Sequence, residues 1–248
     1  MFENLLDPVL NPLLNVMHPL LVTILLALLI SVVVTLLYKL LTDQKLMKQL
    51  KGEMKELQKE MKLLKDNPEK MMTVQKKAME TNMKYMGKSL KPTLFTLIPL
   101  LIIFGWMHAH LAYLPIMPDQ QFTTTAEFSN FNGVVSLNIP EGILLMSNST
   151  QATANNQASW LLKGSKGEYL IEYSFGGESH TQEILISDKL EYAEPIKKVS
   201  NSNLKTLSVN NQKLELINLG FMKLGWLGTY IIFSLIFSMT LRKIMKIA

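Results

Sequence analysis

Residues 19–41 read PLLVTILLALLISVVVTLLYKLL, and no charge interrupts the run before Lys39. A helix rises about 1.5 Å per residue, and roughly 20 residues cross the ~30 Å hydrocarbon layer of a bilayer. This block is long enough to span. Two further apolar blocks resemble it, at residues 92–114, with Pro99 inside, and at residues 219–241. Blocks of this length are too long for the buried helices of a typical soluble core. The expected fold class is therefore an α-helical membrane protein with three transmembrane helices.

The segments between the spans carry opposite charge. Residues 42–91 hold 13 lysines against 7 acidic residues, and residues 115–218 hold 7 lysines against 11 acidic residues. Arg242, Lys243 and Lys246 add positive charge to the tail at 242–248. Lysine and arginine favour the inner side of a membrane. That rule predicts an N-terminal segment at 1–18 outside, residues 42–91 inside, residues 115–218 outside and the C-terminus inside. Residues 1–18 contain no Lys or Arg, so they lack the basic leading region of a secretory signal. The expected location is the plasma membrane, as a multi-pass protein. His18, Trp106, Tyr113 and Trp226 fall near the outer span ends, where amphipathic rings favour the interface.

The inner segment has its own period. Met47, Leu50, Met54, Leu57, Met61 and Leu64 repeat at 3-4 spacing, which is a heptad seam, with lysines between them. The spacing predicts a helix that continues straight out of span one. Asn67-Pro68-Glu69 then reads as an N-cap, a proline at the first helical position and an acid in the first turn. Met79, Met83, Met86 and Leu90 supply a second seam, so residues 42–91 are expected to form a coiled-coil hairpin. Lys48, Lys51, Lys55, Lys59 and Lys62, with Met54 and Met61, are the candidate contacts of this arm to the ribosome or to substrate. Methionine adapts to varied apolar shapes, and a basic face attracts RNA or anionic head groups. The plainer alternative is that the methionines only zip the hairpin and the lysines only keep it solvated.

Polar residues inside the spans are not scattered evenly. Ser31, Thr35 and Tyr38 share one face of span one, followed by Lys39. Thr93 and Thr96 stand near the inner end of span two, and Tyr230, Ser234 and Ser238 form a stripe on span three. These nine residues are candidates to line a polar groove on the inner half of the membrane. The competing reading is that the hydroxyls bond back to their own helices or join helices together.

From residue 117 to residue 215 the pattern changes to short β-prone runs: FTTTAEF, GVVSLNI, GILLM, GEYLIEYSF, TQEILIS and LKTLSV. Gly176-Gly177 reads as a two-residue hairpin turn. Six or seven strands in this length suit a small β-sandwich inserted between spans two and three. Asn148-Ser149-Thr150 is an N-glycosylation sequon. The chain has no cysteine, which excludes disulfides and thiol chemistry. His108 and His110 are two apart and do not form a metal pair. No nucleophile, general base and oxyanion set is legible, so neither an enzyme nor a cofactor is expected.

The runs TDQKLMKQLKGEMKELQKEMK at 42–62 and NPEKMMTVQKKAMETNMKYMGKSLKPTLFTLIPLLIIFGW at 67–106 resemble the archaeal YidC-like proteins. These belong to the YidC/Oxa/Alb insertase superfamily, whose eukaryotic relatives include the core subunit of the ER membrane protein complex. The resemblance covers roughly residues 15–115 and, more loosely, 219–246. It implies an insertase that performs no bond chemistry. In such proteins a cytosol-open polar groove accepts the polar flanks of a nascent transmembrane segment and releases the segment sideways into lipid. The implied partners are nascent membrane proteins, the ribosome, the lipid bilayer and the Sec translocon, and not DNA. Two departures stand out: no Arg or Lys lies in mid-span, and the ~100-residue β-rich segment replaces a short loop. The alternatives are a scaffold or receptor that works through the β-rich domain, and an ion-conducting subunit.

Overall fold

The computed structural model describes residues 6–64 and 66–247. The chain divides into two compact units, Met1–Gly105 with Leu227–Ala248, and Trp106–Trp226.

The first unit is helical. Helix α1, Asp7–Val16, precedes α2, Pro19–Leu41, whose first turn is capped by His18 Nδ1 accepting from the Leu20 N–H at 3.2 Å. Helix α2 does not run on into the arm as the spacing predicts. Thr42 leaves the helix with an extended backbone, and its hydroxyl donates to the Tyr38 carbonyl. Asp43 Oδ1 then accepts from the N–H groups of Lys45 and Leu46, at 3.0 and 3.1 Å, and starts α3, Gln44–Leu63, as a new helix. A carboxylate that caps two amides is a strong start signal, and it outweighs continuity.

Helix α4, Pro68–Leu111, is one 44-residue helix that holds both the second limb of the arm and span two. Asn67 Oδ1 accepts from the Lys70 N–H at 3.2 Å, as the Asn-Pro-Glu signature requires. Pro92 and Pro99 lie inside α4 without ending it. Hydroxyls of Ser89, Thr93 and Thr96 bond to the carbonyls of Met86, Ser89 and Thr93 in the same stretch, at 2.8–3.0 Å. Span two ends at Leu111, not at residue 114.

On α3 the expected seam faces inward: Met47, Leu50 and Leu57 are buried, and Met54 and Met61 are half-buried. On α4 the expected seam is on the wrong face. Met79, Met83, Met86 and Leu90 are all more than half exposed. The face turned inward is Met71, Val74, Ala78, Thr81 and Tyr85. Thr81 Oγ1 donates to Glu53 Oε1 at 3.4 Å, across from α3. The buried row mixes Ala78 and Thr81 with larger side chains, so apolarity alone picks the wrong row.

Helix α5, Trp226–Ile244, is the third helix long and apolar enough to cross a membrane. It starts seven residues later than the 219–241 block suggests. Residues 217–224 belong instead to a short hairpin, described below.

The second unit is β-rich. Its strands are β1 Gln121–Phe128, β2 Val134–Asn138, β3 Ile143–Leu145, β4 Thr150–Ala152, β5 Gln157–Gly164, β6 Gly167–Phe175, β7 Glu178–Ile186, β8 Ile196–Lys198 and β9 Leu204–Val209. They form a five-stranded sheet, β3-β5-β1-β9-β8, and a four-stranded sheet, β4-β2-β6-β7, with antiparallel pairing throughout. The two sheets pack around one core. Phe122, Trp160, Leu162 and Leu207 come from the first sheet, and Val135, Ile171, Tyr173 and Ile184 from the second. Strands alternate buried and exposed positions, as sandwich strands do. The Gly176-Gly177 turn has φ of +54° and +84°, the left-handed pair that a two-residue hairpin demands. A separate two-stranded ribbon, β10 Ile217–Asn218 with β11 Lys223–Leu224, closes the unit.

Candidate functional site

The polar stripe of α2 is turned inward. Ser31, Thr35 and Tyr38 are 4%, 2% and 9% exposed, whereas Leu21, Leu29 and Leu36 on the same helix are roughly half exposed. Hydroxyls hidden and leucines shown is the reverse of a water-soluble helix.

Three contacts tie this stripe to its neighbours, and a fourth joins those neighbours to each other. Ser31 Oγ donates to the Ser234 carbonyl on α5 at 3.4 Å. The Arg242 guanidinium of α5 lies 5.0 Å over the Tyr38 ring. Tyr85 of α4 stands beside Tyr38. Phe104 of α4 meets Tyr230 of α5 edge-on, with centroids 4.8 Å apart. Helices α2 and α5 therefore run parallel, with α4 antiparallel to both, and the three surround a seam of hydroxyls. The seam ends in a cation at the same level as the root of the basic arm.

The remaining candidates contribute differently. Ser234 Oγ donates to the Ile231 carbonyl of its own helix at 3.0 Å, and Ser238 is half-buried. Thr93 is exposed and donates to the Ser89 carbonyl; Thr96 is half-buried and donates to Thr93. Their hydroxyls serve their own helix. Lys39 is exposed. Successive helical residues are about 100° apart, so Lys39 leaves the face that Tyr38 occupies. The cation beside the seam is Arg242, which the sequence reading treated only as tail charge. Tyr85 was also missed. Its signal is an aromatic residue on the Met71, Val74, Ala78, Thr81 row.

Along the arm, Lys48, Lys51, Lys55, Lys59 and Lys62 are all exposed on α3. In the β-rich unit Asn148 is exposed in the loop before β4, and its carbonyl accepts from Gln151 Nε2 at 3.3 Å. At the start of that unit Tyr192 donates to the His108 carbonyl and accepts from the Ala112 N–H at 2.9 Å. Burial pushes its phenol up to about 12. The ring of Tyr113 stands edge-on to Tyr192, and His108 stands edge-on to both Tyr113 and Trp226. His110 stacks on Trp106 at 4.6 Å instead of pairing with His108.

A family model described as "Integral membrane protein EMC3/TMCO1-like" matches residues 4–141. No curated protein and no solved structure matches the chain. The matched residues take in α1 to α4 and the first two strands, more than half of the sequence. The chain belongs to the EMC3/TMCO1-like family of integral membrane proteins, within the YidC/Oxa1/Alb3/EMC3 insertase superfamily.

Proposed function

We propose that the protein inserts transmembrane segments of nascent proteins into the bilayer of an archaeal plasma membrane. The observation that carries the reading is the buried Ser31–Thr35–Tyr38 stripe, with Arg242 held over Tyr38 at the end nearest the basic arm. An unpaired polar group in hydrocarbon costs several kcal/mol. A seam of hydroxyls within the bundle offers partners to the polar flank of an incoming segment and lowers that barrier. The charge distribution supports an orientation with the arm and the C-terminus in the cytosol and the β-rich unit outside. The seam then opens toward the ribosome, and the five lysines of α3 face its RNA.

Site-specific crosslinkers at Thr35 and Ser234 are expected to capture nascent transmembrane segments; labelling of lipid alone rejects the groove. Replacing Ser31, Thr35 and Ser234 together with leucine is expected to impair insertion of a short N-out test substrate while the chain stays in the membrane. Full insertion activity in that variant also rejects the groove. Changing Lys48, Lys51, Lys55, Lys59 and Lys62 to glutamate is expected to abolish salt-sensitive co-sedimentation with ribosomes.

A further inference from the structure

The ribbon formed by β10 and β11 is apolar at its tip and charged at its base. Its tip is Leu219-Gly220-Phe221-Met222. Leu219 is 53% exposed, Phe221 87% and Met222 38%. At the base, Lys223 Nζ pairs with Glu215 Oε1 at 2.8 Å, and Asn218 Nδ2 donates to Glu215 Oε2 at 3.3 Å. Water favours the opposite arrangement. An exposed run of large apolar side chains marks a surface that meets something other than water.

The position of the tip along the chain says what it meets. Helix α5 has 19 residues and a length of about 28 Å, so it needs its whole length to cross ~30 Å of hydrocarbon. Its first residue, Trp226, therefore lies at the hydrocarbon boundary, where indole rings prefer to be. Met222 is four residues earlier, and four extended residues reach at most about 14 Å. The headgroup zone on each side is roughly 5–8 Å deep. The tip thus cannot stray far from the lipid surface, and its side chains are those that lipid attracts.

Two backbone amides of the tip find partners within the ribbon. The Leu219 N–H bonds to the Met222 carbonyl at 3.0 Å, and the Gly220 N–H to Asn218 Oδ1 at 3.0 Å. Gly220 has φ +81°, a left-handed turn that lets the chain reverse in so few residues.

We propose that the β10–β11 hairpin is an interfacial anchor, which dips Leu219, Phe221 and Met222 into the lipid leaflet on the side of the β-rich unit. The ion pair at its base stays among the head groups, as in other amphipathic interfacial elements. The anchor explains why residues 219–225 read as membrane sequence without forming part of the span.

The absence of cysteine makes the test clean, because one introduced cysteine carries one label. Full-length Phe221→Cys, Met222→Cys and, as an aqueous reference, Asn201→Cys are labelled with an environment-sensitive fluorophore. They are then reconstituted in phosphatidylcholine–phosphatidylglycerol vesicles. At 221 and 222, shallow nitroxide lipids are expected to quench several-fold more than at 201, and iodide several-fold less. Equal iodide quenching at all three sites places the tip in water and overturns the proposal. Protection from iodide without quenching by nitroxide lipid means that protein covers the tip, which overturns it too. Protease resistance of each labelled chain, matched to the parent, excludes misfolding as the cause.

Discussion

Trp160, Tyr173, Leu162 and Ile184 are almost completely shielded in the β-rich unit, and its Glu172, Glu178 and Asp188 point into water. The helical unit reverses this. Ile98, Leu101, Leu235 and Met239 are 57–71% exposed, while Thr23, Ser31, Thr35 and Thr229 are hidden. One chain therefore obeys two solvents. Burial in the β-rich unit is driven by expelling apolar surface from water. In lipid that force is absent, and helices associate through packing and interhelical hydrogen bonds. An inward hydroxyl is a structural liability in the first setting and an adhesive in the second.

The strongest way to break this contrast is a pair of matched truncations. Trp160→Ala is expected to cost about 3–5 kcal/mol in the β-rich unit. It removes a fully buried ring and leaves the Ser149 carbonyl without the indole N–H that reaches it at 3.1 Å. Ile98→Ala removes an apolar side chain that is already 65% exposed, and is expected to leave stability nearly unchanged. Urea-dependent protease cleavage of the reconstituted chain reads both, and equal losses dissolve the contrast.

The arm sharpens it next. Leu57→Ala is expected to cost about 2–4 kcal/mol in the α3–α4 pair, measured as lost hydrogen-exchange protection. Met83→Gln, on the exposed row, is expected to stay within about 0.5 kcal/mol. The reverse ranking restores the methionine seam on α4 that the structure rejects.

Tyr192 tests the β-rich unit through pH. Its phenol sits near 12 when folded, against about 10 in an unfolded chain. Between those values the folded state holds a proton that the unfolded state has released. Stability is therefore expected to fall as pH rises from about 10 to about 12. Tyr192→Phe should flatten that fall while costing roughly 1–3 kcal/mol at neutral pH through the hydrogen bonds it forfeits.

The smallest effect is acidic. Hydrogen bonds from Ser179 to Glu172, from Ser202 to Glu178 and from Lys166 to Asp188 hold these carboxyls below their usual range. A lowered carboxyl contributes stability above its unfolded value near 4, and that stability is lost as pH falls through the folded value. A shallow decline in the unfolding midpoint below about pH 4 is expected. It should weaken in Glu172→Gln/Glu178→Gln.

What the sequence reveals follows the same division. The three spans are legible because length and apolarity alone define them. The α3 seam is legible because Met47, Leu50 and Leu57 are both apolar and periodic. The α4 seam is not, because its buried row includes Ala78, Thr81 and Tyr85 while the outward row holds the methionines. Strand β5 escapes notice although it pairs with both β1 and β3. Its inward residues, Ala158, Trp160, Leu162 and Gly164, include two too small to announce an apolar stripe. Of the polar seam, the hydroxyls of α2 are readable from their 4-3 spacing. The cation beside them is not, because Arg242 reaches Tyr38 only once two helices far apart in sequence lie side by side.

The two limbs of the arm are fastened to the membrane unequally. Helix α3 meets α2 through the non-helical joint at Thr42-Asp43, whereas α4 passes without a break from the arm into the span. An unbroken helix of 44 residues is about 66 Å long. A load on the tip of the arm is therefore carried by α4 as a cantilever, with α3 as a strut pinned at its root. Such a beam yields where its section is weakest, and in α4 that is Pro92 and Pro99, where the hydrogen-bond ladder lacks rungs. A push at the far end of the arm would therefore be taken up first at those two prolines.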